Sequence, residues 1–345
     1  MSADPHSVVG PLTGYHHETY VLPLPEGQGG LGGGRWKCRE PRAGLMWFDR
    51  RCFGSEEELL KGLAGRIDRI PDILDVGEFG LQRFVEGVTL GALYPFDQAV
   101  PDTVAQQILD LFEQLAAVAP ATVTVPRRCT AQDRPDDGDS AAFLDRLITF
   151  AEKQVYAANL PVFEHLFADL GLHEGAFGAL RKHVSGLKER PFCLLHADLH
   201  RENFIVADQE RLWTIDWELA MLGDPLYDLA THLYLMRYPR WQEEWITKGW
   251  QEAVERVRPG SSHGLADDLP LLIDFKRAQS VFTDVIRAAL SLDNRADPRG
   301  LRRIQAGWRL YKILLAAAEP LDLDAVPSPW RIVGALTKWR SARPM

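Results

Sequence analysis

Apolar and polar positions alternate with a period of two through the early part of the chain, which predicts strands between about residues 11 and 50. TYVLPL alternates around Val21 and Leu22, and RWKCRE puts Trp36, Cys38 and Glu40 on one face and Lys37 and Arg39 on the other. Between these runs lies the glycine tract EGQGGLGGG. It lacks the GK[ST] ending of a phosphate-cradling loop and no helical pattern follows it directly, so it reads as a hairpin connection. The period then lengthens. Ser55 opens SEEELLKGLAGRI, with acids in the first turn and Leu59, Leu60, Leu63 and Ile67 as the buried stripe of a helix. DILDVGEFG and LQRFVEG follow as a strand pair, and a boundary between two lobes, 1–87 and 88–345, is placed near Gly87.

Beyond it the pattern is helical. Val104, Ile108, Leu111, Phe112 and Leu115 recur at helix spacing, with Asp102 as the expected cap and Pro120 as the stop. After the polar stretch RRCTAQDRPDDGDS, Ser140 is expected to cap a helix through Phe143, Leu147, Phe150 and Ala151, and 161–188 supplies one or two more. FCLL then reads as a short buried strand, HADLHREN as a loop, and FIVA and LWTID as two strands joined by DQER. No internal repeat of solenoid period occurs.

Composition narrows the functional classes. The 345 residues carry 39 Lys and Arg against 48 Asp and Glu, a net charge of −9, which does not suit a nonspecific grip on nucleic acid or anionic membrane. Cys38, Cys52, Cys129 and Cys193 form no CxxC and no Cys/His cluster, so neither zinc nor a disulfide framework is expected. MSADPHSVVG lacks the features of a signal peptide, and no apolar run approaches a membrane span; a cytoplasmic protein with reduced thiols is expected.

The chemistry concentrates after Pro191. Asp198 and Asn203 stand five residues apart, and Asp216 follows Asp198 by eighteen at the end of the second strand of a hairpin. Two carboxylates and an amide then converge on one small volume. Phosphoryl transfer needs such a set: one carboxylate to orient and deprotonate a hydroxyl, and hard oxygen donors to hold Mg²⁺ against nucleotide phosphates. Each residue alone has a plainer reading as a loop cap, a turn residue or a strand-end carboxylate.

HADLHREN, followed by IDWE and GDPLYDLA, closely resembles the catalytic centre of the aminoglycoside phosphotransferase and choline kinase family. The resemblance implies an α+β, bilobal, protein-kinase-like fold with a small β-rich N-terminal lobe and a large, mostly helical C-terminal lobe. It implies that Asp198 is the catalytic base, that Asn203 and Asp216 bind Mg²⁺, and that His196 and His200 buttress the loop. Asp228 would anchor that loop from behind, Glu218 would support the metal position, and Asp224 would cap or orient the following helix. In the small lobe the pattern offers Lys37 with Glu56 as the pair that steadies the phosphates, although Arg39 lies on the same face and Glu57 or Glu58 could replace Glu56. LQRFVEG resembles the hinge, at about 82–87, with the backbone of Arg83 and Val85 at the adenine edge and Gln82 bordering the pocket. GYHHETY occupies the place of the nucleotide-covering loop, with His17 or Thr19 as phosphate donors.

Only eight positions separate Asp216 from Asp224 and no APE motif appears, so a polypeptide acceptor has no platform and a small molecule is expected. In LLIDFKRAQSVFTDVIRAAL, Asp274 and Asp284 are candidate acceptor contacts. From Trp241 onward, 16 Lys or Arg outnumber 13 Asp or Glu, which does not favour a polycationic acceptor. The expectation is an ATP- or GTP-dependent, Mg²⁺-dependent kinase of a small-molecule hydroxyl, monomeric or homodimeric. An antibiotic is the first acceptor class, a choline-, homoserine- or methylthioribose-type metabolite the second, and a nucleotide-binding pseudokinase the alternative from another class.

Overall fold

The computed structural model describes residues 8–13, 17–24, 34–41, 51–76, 79–293 and 300–342. Most of the glycine tract and Gly14–His16 of the expected covering loop lie outside them. The chain opens with β1 (Val9–Thr13), β2 (His17–Leu24), β3 (Gly34–Pro41), α1 (Glu56–Leu63), β4 (Ile73–Val76) and β5 (Phe79–Arg83). Next come β6 (Val88–Thr89), the single turn α2 (Leu90–Leu93), and α3 (Asp102–Ala117). Three helices follow, α4 (Ser140–Phe150), α5 (Leu160–Asp169) and α6 (Gly175–His183). Then come β7 (Cys193–Leu195), β8 (Phe204–Ala207), β9 (Arg211–Thr214), β10 (Met221–Gly223), α7 (Pro225–Met236) and α8 (Arg240–Val257). The chain closes with α9 (Leu265–Asp293), α10 (Leu301–Ala316) and α11 (Pro329–Ser341).

By contact these elements form two compact units, Met1–Gln132 with Arg190–Ser262, and Asp133–Glu189 with His263–Met345. In the first, an antiparallel sheet has the order β1-β2-β3-β5-β4. The register pairs Leu22 with Trp36 and Val21 with Lys37. The period of two therefore sends Trp36 into a core with Leu74 and Leu81, against which Leu22, Leu24 and Cys38 pack, and leaves Lys37 and Arg39 on the opposite face. α1 begins where expected, because the Ser55 side chain accepts from the Glu58 amide at 3.2 Å. It ends at Leu63, four residues before Ile67, which is buried from the turn that follows.

β8 and β9 form the expected hairpin, extended by β6, while β7 pairs with β10. The chain reaches β6 through Gly87 at φ +149°, where a Cβ would collide with the Val206 carbonyl oxygen. Glycine is required there. Two expected caps are corrected. Asp102 is the first residue of α3, behind Pro101, and makes no capping bond, because the fixed Pro101 backbone already sets the entry. Asp139, not Ser140, caps α4, its carboxylate accepting from the Ala142 amide at 2.8 Å while Ser140 is buried in the first turn.

The second unit is helical around an aromatic core in which Phe177 stacks on Phe282 at 4.7 Å and Phe163 on Trp339 at 5.2 Å. No helix among the described residues is long and apolar enough to cross a membrane.

Candidate active site

The loop between β7 and β8 is held from behind by one carboxylate. Asp228, buried in α7, accepts from the His196 amide at 3.0 Å and the Ala197 amide at 2.8 Å. Catching two successive amides turns the chain sharply, and Ala197 sits at φ +63° as a result. The next four residues alternate in direction. Leu199 and Arg201 are buried, and Asp198 and His200 are partly open. On the buried side, His232 Nδ1 donates to the Leu199 carbonyl at 3.0 Å and the Tyr238 hydroxyl donates to His232 Nε2 at 3.0 Å. Burial pushes His232 down to about 3, so the ring is neutral, as this bonding requires. Arg201 donates to the carbonyls of Met236, Tyr94 and Gln98 at 2.7–2.9 Å, with its guanidinium over the Tyr238 ring.

On the open side, Asn203 Nδ2 donates to the Asp198 carbonyl at 2.9 Å and to its carboxylate at 3.2 Å. The amide is thereby oriented, and its Oδ1 takes no protein donor among the described residues. His200 Nε2 stands 3.4 Å from Asp198 Oδ2, while its Nδ1 accepts from the Glu202 amide at 3.1 Å. Burial disfavours charge on His200, but Asp198 and the neighbouring acids outweigh it and raise its pKa. The Glu202 amide aimed at Nδ1 opposes that protonation, since a proton there would meet an N–H.

Asp216 adopts a left-handed backbone conformation, φ 66° and ψ 63°, between two anchored neighbours. The Ile215 amide donates to the Asn203 carbonyl at 3.0 Å, and the Ile215 carbonyl accepts from His196 Nε2 at 3.1 Å. The Trp217 amide donates to Glu56 Oε1 at 2.9 Å. His196 lies edge-on to Trp217, and burial lowers its pKa, which keeps it a neutral donor. The Asp216 carboxylate is itself 35% exposed and meets Arg39 at 3.4 Å.

Glu56 is the helix glutamate as expected, but its ion-pair partner is Arg39 rather than Lys37. Arg39, two residues further along the same face of β3, meets both Glu56 and Asp216 through the one nitrogen Nη1. Lys37 sits opposite Val21 and Gln82 and forms no ion pair among the described residues. Burial, reinforced by Arg39, lowers it to about 8. Lys37→Met is therefore expected to stabilise the nucleotide-free protein at pH 7 by up to about 3 kcal/mol, read as a higher Tm. The folded pKa lies below the unfolded one, so the cost is full below pH 8 and fades as pH rises towards 10.5. A Tm difference between variant and parent that stays constant across that window would refute the assignment.

Gln82 is buried beside Lys37 and reaches Glu57 at 3.4 Å. The Arg83 side chain is occupied by Asp72 at 2.8 Å and lies over Trp36. The Phe84 amide closes the ladder on the Arg35 carbonyl, and beyond it the Val85 main chain has no protein partner among the described residues. Burial and the charge of Asp216 push Glu218 up to about 7, against the opposing pull of Arg39. Asp274 and Asp284 belong to the second unit, where Asp274 meets His183 at 3.0 Å and Arg277 at 2.8 Å, and Asp284 meets Arg309 at 2.9 Å. Their charges are matched there, which removes the reason to expect them as acceptor contacts.

The sequence profile of the phosphotransferase enzyme family matches residues 31–259, which run from β3 through α8 and include the loop and the hairpin just described. The chain belongs to that family. It is a phosphotransferase of small molecules with an alcohol group as acceptor. A choline/ethanolamine kinase family protein from Mesorhizobium loti is 17% identical, with a TM-score of 0.50 over 96% of this chain and 92% of that one. A macrolide 2'-phosphotransferase from Brachybacterium faecium is also 17% identical, with a TM-score of 0.49 over 94% and 95%. The first likeness shows the kinase-like α+β fold expected from the sequence.

Sequence reasoning offered Arg39 only as the alternative to Lys37, and Asp224 as a cap without its partner. It had no signal for the Trp217 amide, for the carbonyls taken by Arg201, or for Arg190 as the partner of Asp224.

Proposed function

We propose that this phosphotransferase moves the γ-phosphoryl group of ATP to a hydroxyl of a weakly charged, antibiotic-type small molecule, with Asp198 as base. The observation that carries the reading is the Asp198 carboxylate, held by Asn203 and flanked by His200, on the same anchored loop and hairpin as Asp216. Asp198 takes the acceptor's proton as its oxygen bonds to the γ-phosphorus, and the bridging oxygen leaves with ADP. The donor set suits Mg²⁺. Asn203 Oδ1 and the exposed Asp216 carboxylate are hard oxygens, and magnesium completes its shell with water and phosphate rather than a protein cage; among the described residues no three His, Cys, Asp or Glu side chains form such a cage. When bound there, the ion would neutralise charge on the nucleotide phosphates.

Arg39, kept charged by Glu56 and Asp216, is the proposed cation for the phosphates, with Lys37 as a second one. Residues 1–87 act as the nucleotide lobe and 88–345 as the catalytic and acceptor lobe. Adenine is read by the Val85 main chain and, at Arg83, by the carbonyl alone, since the Arg83 amide already donates to the Asp72 carbonyl at 2.8 Å, with Gln82 alongside. The basic surplus beyond Trp241 and the richness of that stretch in tryptophan support an acceptor that is bulky rather than polycationic. The location is cytoplasmic, with neither nucleic acid nor membrane as partner.

The test is acceptor-dependent ADP release with Mg·ATP, and with Mg·GTP as a second donor. The panel holds macrolides, nucleosides, aminoglycosides, choline, homoserine and methylthioribose. Release with a macrolide or nucleoside supports the reading; release with choline or another metabolite alone replaces the acceptor class. ATP binding without release on any acceptor favours the pseudokinase. Arg39→Ala is expected to raise the KM for Mg·ATP and cut kcat about a hundredfold, more than Lys37→Ala does, since it also releases Glu56 and Asp216. Equal losses in the two variants would return the role to Lys37.

A further inference from the structure

Two thiols stand together beside the entry to α1. Phe53 bridges Arg127 in antiparallel fashion, the Arg128 amide donates to the Cys52 carbonyl at 2.8 Å, and the Gly54 amide donates to the Pro126 carbonyl at 3.4 Å. Cys52 therefore faces Arg128 in this pair. Cys129 is one residue past the facing position, and the chain bends at Arg128 and Cys129. Its thiol hydrogen-bonds that of Cys52. Both residues are half-buried, and Arg51, Arg127 and Arg128 adjoin them in the chain.

We propose that Cys52 and Cys129 form a reversible disulfide, that its oxidant is an anionic low-molecular-weight disulfide of the glutathione class, and that closing it weakens nucleotide binding through Glu56. The cations favour an anionic reagent. Burial, then the Cys129 thiol, pushes Cys52 up to about 11, which makes Cys52 a poor first nucleophile, and the first attack is assigned to Cys129. Its thiolate attacks one sulfur of the oxidant, forms a mixed disulfide and releases one glutathione thiolate. Cys52 then loses its proton, attacks the Cys129 sulfur and releases the second glutathione. Two protein thiols give up two electrons and two protons, and the oxidant takes up both. Disulfides in reduced compartments are mostly of this transient, sensing kind.

The link to the site is short. Cys52 precedes the Ser55 cap by three residues and Glu56 by four, and Glu56 holds both Arg39 and the Trp217 amide. Drawing two sulfurs from hydrogen-bonded contact to bonding distance moves the chain that enters α1. The effect on binding rests on the function proposed for Glu56; the disulfide does not.

The experiment treats the full chain with oxidised glutathione, maps peptides without reduction, and measures Mg·ATP affinity before oxidation, after it, and after dithiothreitol. The expected result is a Cys52–Cys129 crosslink with an ATP Kd raised about tenfold, within the ordinary range of coupling between sites, and restored on reduction. Cys129→Ser is expected to bind ATP normally and to resist the oxidant. Thiols left reduced, a stable mixed disulfide on either cysteine, or a crosslink with unchanged affinity would each overturn the proposal. If the reduced protein bound no nucleotide, the functional reading and the coupling would fall together, and the peptide map would still decide the crosslink.

Discussion

Asp198→Asn is expected to lower kcat by roughly 10²- to 10⁴-fold, the usual contribution of a positioned base, with little change in the Kd for Mg·ATP. The asparagine is nearly isosteric and can still meet Asn203 and His200, so the loop keeps its shape while the acceptor proton loses its destination. Loop geometry does not depend on that carboxylate. Asp228 fixes the His196 and Ala197 amides, His232 fixes Leu199 and three carbonyls fix Arg201. A fall in kcat with unchanged nucleotide affinity and unchanged Tm separates a catalytic role from a structural one. Turnover at the parent rate would remove Asp198 from the mechanism.

Arg190→Met is the substitution expected to damage stability most. Arg190 and Asp224 are almost completely enclosed, at 0% and 1% side-chain exposure, and make three contacts of 2.7–3.0 Å. Removing one member of such a pair strands the other charge and costs about 3–5 kcal/mol. Asp224 also caps α7, its carboxylate accepting from the Leu226 amide at 2.9 Å, and α7 carries Asp228. The loss should therefore appear both as a lower Tm and as reduced turnover. Arg190→Met combined with Asp224→Asn removes the stranded charge and keeps a capping oxygen, so it is expected to recover much of the stability. A double variant no more stable than the single one would show that the packing of Arg190 matters more than its charge.

Much of the site is legible in the amino-acid sequence because its parts lie close in the chain and their spacing reflects local geometry. Asp198 and Asn203 share one loop, and the alternation of FIVA and LWTID predicts the hairpin that returns Asp216 to it. Asp228 and the cap role of Asp224 came only with the family resemblance carried by GDPLYDLA, and the structure shows both contacts. The small lobe is less legible. Periodicity places Lys37 and Arg39 on one face but carries no information on which of them meets Glu56, 17 or 19 residues away on another element. Ser140 is one residue off as a cap because neighbouring Asp139 competes for the same amides, and Asp102 falls inside α3 because Pro101 sets the entry.

The sequence by itself predicted the strand-rich start, the helical stretches and the hairpin after the loop, through propensity and alternation that act over a few residues, and its motifs carried the resemblance that implied the α+β fold and the phosphotransferase family. Tertiary structure decided the partnerships: Arg39 with Glu56 and Asp216, the Trp217 amide with Glu56, Arg190 with Asp224, Arg201 with three carbonyls, and the two thiols Cys52 and Cys129. Each joins groups distant in the chain. Burial then supplies their strength, because a polar group removed from water must find its partner wherever the fold brings one.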